Sequence, residues 1–301
     1  MTDMLENALL EVNSILLGKH HQVKLAFACL LAKGHLLIED IPGLGKTTLS
    51  HTLAKVLGLS YNRIQFTSDL LPSDILGVSI FEKSSGLFHF QPGPIFAQIV
   101  LSDEINRATP KAQSALLEAM EEHQVTTEGE TRSLPSPFFV IATQNPLEQA
   151  GTYPLPESQL DRFLMRIQLG YPPPKAERDL LKGTDRRKLI NDLKVSITPE
   201  KLLEFQNECE GTVTSDALLD YLMRLITYTR ESNEFHTGLS PRGGLALLKA
   251  SRAWAFLHRR DFVLPEDVQA VLPSVLLHRV GKDQKTSQRV IDKMLTEVSV
   301  F

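Results

Sequence analysis

Short apolar segments alternate with helical segments along the first half of the chain. Four segments are mostly short, apolar and followed by polar residues, as buried strands of a parallel sheet are: residues 35–39, 61–67, 99–103 and 138–142. Helical stretches lie between them. This alternation predicts a doubly wound α/β domain, in which ligands bind beyond the carboxyl ends of the strands.

The pattern changes at three successive prolines, residues 172–174, which prevent both helix continuation and sheet pairing. Beyond them only helical periodicity remains, with apolar residues in steps of three and four. Helices are predicted to begin at Ser215, at Ser240–Pro241 and near Pro265. We therefore predict two domains, an α/β core at residues 1–171 and a small all-α domain at residues 172–301.

Composition and charge are those of an ordinary globular protein. The 301 residues are 42% hydrophobic and 23% charged, and the formal net charge is -4. This acidic balance, without a basic stretch interleaved with aromatic residues, argues against a nucleic-acid partner.

The sequence contains no predicted membrane span or secretion signal. Residues 1–21 have the pattern of an amphipathic helix, and the longest apolar stretch, 25–32, is far shorter than the ~20 residues that cross a bilayer. The two cysteines, Cys29 and Cys209, have no metal-type spacing and favour a reduced, cytoplasmic setting.

A glycine-rich turn between a predicted strand and a predicted helix has the sequence HLLIEDIPGLGKTTLS. In a P-loop, backbone N–H groups and the helix N-terminus hold the phosphates of ATP, and we predict that Lys46 reaches the β- and γ-phosphates while Thr47 binds Mg2+. The predicted nucleotide-binding residues are Pro42, Gly43, Leu44, Gly45, Lys46, Thr47 and Thr48. Asp40 replaces the first glycine of the strict motif, which leaves the shape of the loop open.

Two acidic residues, Asp103 and Glu104, end the third predicted strand. A buried carboxylate there is costly without a cation or hydrogen-bond donors. Asp103 is predicted to hold Mg2+ through water, and Glu104, on the other side of the strand, to polarise the attacking water. Two solvated carboxylates at a strand end are the alternative, which a P-loop in the same chain disfavours.

Three polar residues, Thr143, Gln144 and Asn145, follow the last predicted strand. A side chain at that position would reach the γ-phosphate or the lytic water. An ordinary turn before Pro146 is the competing interpretation.

Two arginines in the second half are candidate phosphate ligands. Arg242 lies in a first helical turn, where a cation opposes the helix dipole, so an anionic partner such as ATP phosphate is expected. A plain surface arginine is the alternative. The following Gly243 and Gly244 indicate close backbone approach or a frayed first turn. Arg162 either reaches a neighbouring subunit's nucleotide or pairs with Asp161 in its own chain.

Long blocks of this sequence resemble MoxR-type AAA+ ATPases. They are PGLGKT, GPIFAQIVLSDEINRATPKAQSALLEAMEEHQV, PFFVIATQNPLEQAGTYPLPESQLDRF and the SPR that ends at Arg242. The resemblance implies a P-loop NTPase of the AAA+ type, with a three-layer α/β core, a parallel sheet and a helical lid. It assigns Asn145 as sensor 1, Arg162 as the arginine finger and Arg242 as sensor 2, and it places β-hairpin insertions near residues 80–91 and 125–136.

The same resemblance implies a homo-oligomeric ring, commonly hexameric, with ATP and Mg2+ between subunits. It further implies a chaperone-like activity that matures or remodels partner proteins, often proteins with a von Willebrand factor A domain or metal-dependent complexes. Three alternatives remain open on sequence alone. They are a nucleic-acid motor, a small-molecule kinase and a nucleotide-dependent scaffold with slow turnover.

Overall fold

A five-stranded parallel sheet forms the centre of the first half of the chain. The computed structural model describes residues 2–146, 151–183, 186–280 and 284–300. Its strands are β1 (Leu36–Glu39), β2 (Tyr61–Gln65), β3 (Gly77–Glu82), β4 (Leu87–Pro92), β5 (Ile99–Asp103), β6 (Gln124–Thr127), β7 (Glu130–Ser133), β8 (Phe139–Gln144) and β9 (Met165–Ile167). Its helices are α1 (Thr2–Ile15), α2 (His20–Leu31), α3 (Lys46–Val56), α4 (Pro72–Leu76), α5 (Pro110–Glu122), α6 (Glu157–Leu160), α7 (Pro174–Lys182), α8 (Arg186–Asp192), α9 (Pro199–Glu210), α10 (Asp216–Glu231), α11 (Pro241–Leu257), α12 (Pro265–Leu276) and α13 (Gln284–Glu297).

The strand order of the central sheet is β2-β5-β8-β1-β9, with every neighbouring pair parallel. Strands β3 and β4 form one antiparallel hairpin, and β6 and β7 form another. The predicted parallel sheet is therefore confirmed. Strand β9 was not predicted, because three residues are too few to show a pattern.

Alternation along the strands divides the core into two apolar layers around the sheet. Ile99 and Leu101 face the layer that contains α1, α2 and α3, while Val100 faces the layer that contains α5. The helix predicted within residues 1–21 is α1, which ends at Ile15, and α2 follows from His20. No described helix is long and apolar enough to cross a membrane.

The second half is helical, as predicted, and docks on the first through α2 and β9. Helix α11 packs against α12, α9 and α2, and α12 packs against β9. The hydroxyls of Ser215 and Ser240 accept hydrogen bonds from Leu218 N (3.3 Å) and Gly243 N (3.0 Å), which caps α10 and α11 where the sequence placed their starts.

Gly243 and Gly244 allow close packing at the start of α11. A Cβ at Gly243 would lie 2.5 Å from Leu239 Cδ1, and one at Gly244 would lie 2.9 Å from Ile226 Cδ1. Both residues belong to a regular helical turn. The first of the two sequence interpretations, close approach, is therefore the right one.

His35 joins the amino ends of the sheet to α5 as a neutral side chain. Val140 N donates to its Nδ1 (3.0 Å), so Nε2 carries the proton and donates to Met120 O (3.1 Å). Burial lowers the pKa of His35 from 6.5 to about 4, although the bond to Met120 O acts in the opposite direction.

This low pKa predicts a loss of stability in mild acid. Between pH 6.5 and about 4 the unfolded chain binds a proton on His35 that the native chain does not, so the free energy of unfolding falls as pH falls. The effect of this residue is about 2 kcal/mol at about pH 5. Denaturant unfolding of His35→Gln should depend less on pH by that amount. His236→Gln, at an exposed position, is the control and should follow wild type; an unchanged slope in His35→Gln would contradict the prediction.

Candidate functional site

The glycine-rich loop joins β1 to α3 and contains two glycines in the left-handed region of backbone conformation. Gly43 has a φ of 86° and Gly45 a φ of 95°, and Gly45 directly precedes the first residue of α3. Apart from the adjacent residues and helix backbone, no atom lies within 4 Å of a Cβ built on either glycine. Conformation therefore requires glycine here, and the space in front of the loop is available to a ligand.

The loop and the first turn of α3 line a cleft of about 370 Å³. Its lining residues are Pro42, Gly43, Gly45, Lys46, Thr47, Thr48, Arg63, Gln65, Asp103 and Glu104. Leu44 instead packs against the apolar core. The N–H groups of the first turn of α3, which point out of the helix end, and the positive dipole end there make this cleft suitable for an anion. The buried Lys46 lies in it, with Nζ donating to Asp40 O at 2.6 Å.

Asp40, in place of the first motif glycine, ties the loop to the segment after β9. Its carboxylate accepts hydrogen bonds from Gly170 N (2.7 Å) and Ile41 N (3.1 Å). Lys19 Nζ donates to the carbonyls of Leu169 and Gly170, and burial lowers its pKa while the charge of Asp40 raises it. The departure from the motif therefore adds a buried tether at the start of the loop.

The two acidic residues face the same cleft, contrary to the expectation that they point to opposite sides of β5. Asp103 is the last residue of β5, and Glu104 follows with a φ of 57°. A non-glycine residue in this left-handed conformation costs on the order of 1 kcal/mol. The strained turn brings the Glu104 carboxylate to the side on which Asp103 lies.

Thr143 connects the acidic pair to β8. Its hydroxyl donates to Asp103 Oδ1 at 2.5 Å and accepts from Glu104 N at 2.9 Å. Asn145 is buried immediately beyond the end of β8, which lies between β5 and β1. Asn145 is thus at the sheet edge that carries the loop and the acidic pair.

Two residues of β2, Arg63 and Gln65, complete the cleft and were missed by the sequence analysis. Arg63 donates to Asp103 Oδ2 through Nη2 (2.6 Å) and Nε (3.2 Å), and its Nη2 also donates to Gln65 Oε1 (2.8 Å). Gln65 Nε2 donates to Glu104 Oε2 at 3.0 Å. The sequence did contain a signal for these two residues. They lie two positions apart, so they share one face of a strand that ends at the ligand-binding edge.

Arg162 and Arg242 lie together and share one carboxylate. Arg242 Nη2 lies 2.5 Å from Glu121 Oε1, and Arg162 Nη2 lies 3.3 Å from Glu121 Oε2. Arg162 Nη1 also donates to Leu117 O at 2.7 Å. Within the chain the anionic partner of Arg242 is therefore Glu121, where the sequence analysis expected phosphate. Asp161, the other partner considered for Arg162, pairs with Arg279 instead.

These arginines lie at the amino edge of the sheet, opposite the cleft. Glu121 is near the end of α5, and the neighbouring Met120 accepts a bond from His35, which directly precedes β1. Strand β1 alone spans about 13 Å at ~3.3 Å per residue. The arginines line a second cleft, of about 240 Å³, that shares no lining residue with the first among the described residues.

The ATPase family associated with various cellular activities (AAA) matches residues 35–165, and the AAA lid domain matches residues 227–298. Chaperone MoxR1 of Mycobacterium tuberculosis is 39% identical over 98% of this chain and 82% of its own length. The chain belongs to the MoxR family of AAA+ ATPases. As in other AAA+ ATPases, its α/β core with a helical lid is a nucleotide-binding fold.

Two further relatives of this MoxR-family chain cover almost all of it. YeaC of Bacillus subtilis, an uncharacterized protein, is 48% identical over 92% of this chain and 87% of its own length. A crystal structure from Cytophaga hutchinsonii, provisionally described as an ATPase, superposes with a TM-score of 0.91 at 36% identity. It covers 99% of this chain and 95% of its own. The likeness therefore extends across core and lid together.

The Thr143 bridge predicts how this MoxR-family site responds to loss of one hydroxyl. Thr143→Val keeps the shape but leaves Glu104 N–H and Asp103 without that partner, so stability should fall by about 1–3 kcal/mol and ATP turnover should fall with it. Thr143→Ser keeps the hydroxyl and should retain turnover. Urea unfolding and phosphate release measure the two effects. Equal turnover in both variants would contradict the assigned bridge.

Proposed function

We propose that this chain binds ATP with Mg2+ and hydrolyses it, with Lys46 on the β- and γ-phosphates and Glu104 as the group that polarises water. One observation carries the proposal: a single cleft brings together the glycine-rich loop, Asp103 and Glu104. Asn145, at the same edge, would hydrogen-bond the γ-phosphate or the lytic water. The Glu104 carboxylate also argues against a scaffold that only binds nucleotide.

The donor set in this cleft fits Mg2+. The Thr47 hydroxyl and the Asp103 carboxylate are oxygen ligands of the kind that Mg2+ prefers, and both residues line the cleft. Bound Mg2+ would neutralise charge on the phosphates during hydrolysis. Asp103 also pairs with Arg63, so a cation of the chain itself balances part of the charge of this carboxylate.

We further propose that Arg162 and Arg242 both act on the nucleotide of a neighbouring subunit in a ring, most simply a hexamer. Neither arginine lines the cleft of its own chain, and both lie at the opposite edge of the sheet. The described lining of their cleft is rich in cations, which are Lys33, Arg162, Arg242, Lys249 and Arg279 against Glu121 and Asp161. Such a surface is complementary to phosphate, so neighbouring subunits would complete each other's sites.

For the biological role we propose chaperone-like remodelling of partner proteins, including proteins with a von Willebrand factor A domain. The relative MoxR1 is described as a chaperone. The β3–β4 hairpin exposes apolar side chains, with Phe81 51% and Phe88 71% exposed, and exposed apolar clusters are typical of protein contacts. A nucleic-acid motor is the alternative, and stimulation of turnover by DNA would favour it.

The assigned roles predict different defects for two single substitutions. Lys46→Ala removes the cation that meets the phosphates and should weaken ATP binding by about a hundredfold or more. Glu104→Gln keeps the cleft and should bind ATP normally, while turnover falls by about a hundredfold or more. Fluorescent-nucleotide titration and phosphate release distinguish the two. Loss of binding in a folded Glu104→Gln protein would contradict the role of Glu104.

A shared site predicts concentration-dependent activity. Turnover per subunit should rise with protein concentration and then saturate, because a dissociated subunit lacks a neighbour's arginines. Sizing of the dilute sample by light scattering checks that the rise accompanies assembly. A constant rate in a sample shown to be monomeric would overturn the proposal.

Mixing two inactive variants tests the direction of the contact. Glu104→Gln subunits keep their arginines, and Arg162→Ala subunits keep their cleft, so equal mixing with random exchange should restore about a quarter of wild-type turnover. Arg242→Ala should behave like Arg162→Ala, whereas Arg178→Ala, at an exposed position of α7, should stay fully active. Absence of restoration, with mixed rings verified, would mean that the arginines act within their own chain.

A further inference from the structure

Asp161, the residue before Arg162, is half-buried and forms an ion pair with the buried Arg279 just beyond α12. Arg279 is 7% exposed, and its Nε donates to Asp161 Oδ1 at 2.6 Å. Its other nitrogens donate to the carbonyls of Asp161 (3.3 Å), Phe163 (2.6 Å), Leu164 (3.1 Å) and Val275 (2.5 Å). A single guanidinium thus holds the backbone on both sides of Arg162.

The same pair reaches the helix that carries Arg242. The second carboxylate oxygen of Asp161, Oδ2, accepts a hydrogen bond from the hydroxyl of Ser240 (3.4 Å), the residue that caps α11. A Cβ at Gly243 would lie 3.1 Å from Arg279 Cδ, so the first turn of α11 rests directly on the Arg279 side chain. Asp161 and Arg279 therefore contact the immediate neighbours of both arginines.

An ion pair whose cation is buried is a poor source of stability, since desolvation offsets most of its Coulomb energy. Five hydrogen bonds from the planar, rigid guanidinium of Arg279 nevertheless fix the positions of the segments that they join, which an apolar pair would not do. The arrangement is therefore suited to holding two neighbouring side chains in one relative position.

We propose that Asp161 and Arg279 are positioning residues that hold Arg162 and Arg242 as one unit of core and lid. This proposal rests on the proposed function, in which both arginines serve a neighbour's ATP. A lid movement would then displace the two arginines together, so the position of one subunit's lid sets hydrolysis in the next subunit.

The first test replaces the guanidinium of Arg279 by the ammonium group of lysine, which keeps the positive charge. Arg279→Lys should lower kcat by about ten- to a hundredfold with KM unchanged, because misplacement of catalytic groups by about 1 Å costs that much. Arg260→Lys is the matched control, since Arg260 forms a similar ion pair with Asp267 elsewhere in the lid. Equal kcat losses in the two variants would overturn the proposal. Asp161→Asn removes the charge of the other partner and should lower kcat in the same way. It replaces Arg279→Lys in this test if that variant does not fold.

Mixing two kinds of subunit distinguishes a positioning role of Arg279 from a general loss of structure in the Arg279→Lys variant. Arg279→Lys subunits keep their own cleft, so mixing them with Glu104→Gln subunits should restore about a quarter of wild-type turnover. In a background that already lacks both arginines, Arg162→Ala/Arg242→Ala, adding Arg279→Lys should lower kcat no further. Failure of restoration, or additive losses, would overturn the positioning role. If Arg162→Ala and Arg242→Ala are themselves fully active, the proposed trans function fails, and the positioning proposal fails with it.

Discussion

The common direction of the five central strands determines where the functional groups of this protein lie. Because the strands are parallel, the residues that follow β1, β5 and β8 meet at one edge, which brings the glycine-rich loop, Asp103 and Glu104 together. Residues before the strands, such as His35, meet at the other edge. Helix α5 begins beside the first edge and ends beside the second, where Glu121 holds both arginines.

Local patterns predicted the parts of the site that depend on local structure. The loop from Pro42 to Thr48 was predictable because its glycines must adopt positive φ and because a strand precedes it and a helix follows. The parallel sheet and the helical second half were predictable from periodicity. Strand β9 was not predictable, because its three residues are too few to show a pattern.

Parts of the site that depend on strand order were not predictable. The pairing of Arg63 with Asp103 requires β2 to lie beside β5, and no local sequence pattern predicts that strand order. The common orientation of Asp103 and Glu104 depends on a strained turn, which the fold imposes on a residue type that rarely adopts it. The partner of Arg279 lies more than a hundred residues away in sequence, and only the docking of lid on core brings the two together.

Buried and half-buried charged groups join segments that are distant in sequence and lie next to functional residues. Asp40 ties the glycine-rich loop to Gly170, and Arg166 of β9 pairs with Glu39 at the end of β1 (2.9 Å). Asp161 and Arg279 do the same at the other edge. Such pairs add little net stability, but an alternative packing that separates them leaves a buried charge unpaired. They therefore restrict the chain to one arrangement of the segments around the site.

Separation of the two edges has a consequence for assembly. A chain with an anion-binding cleft at one edge and a cationic cleft at the other is complementary to a second copy in a head-to-tail manner, and such contacts close into rings when the rotation permits. The lid packs at the cationic edge, through Arg279 and Ser240, and on the proposed function it would belong to the surface that contacts the neighbour. On the proposed function, the two arginines that act on a bound ATP, Arg162 and Arg242, come from the next subunit. A single chain would hold nucleotide, and only the assembled protein would hydrolyse it efficiently.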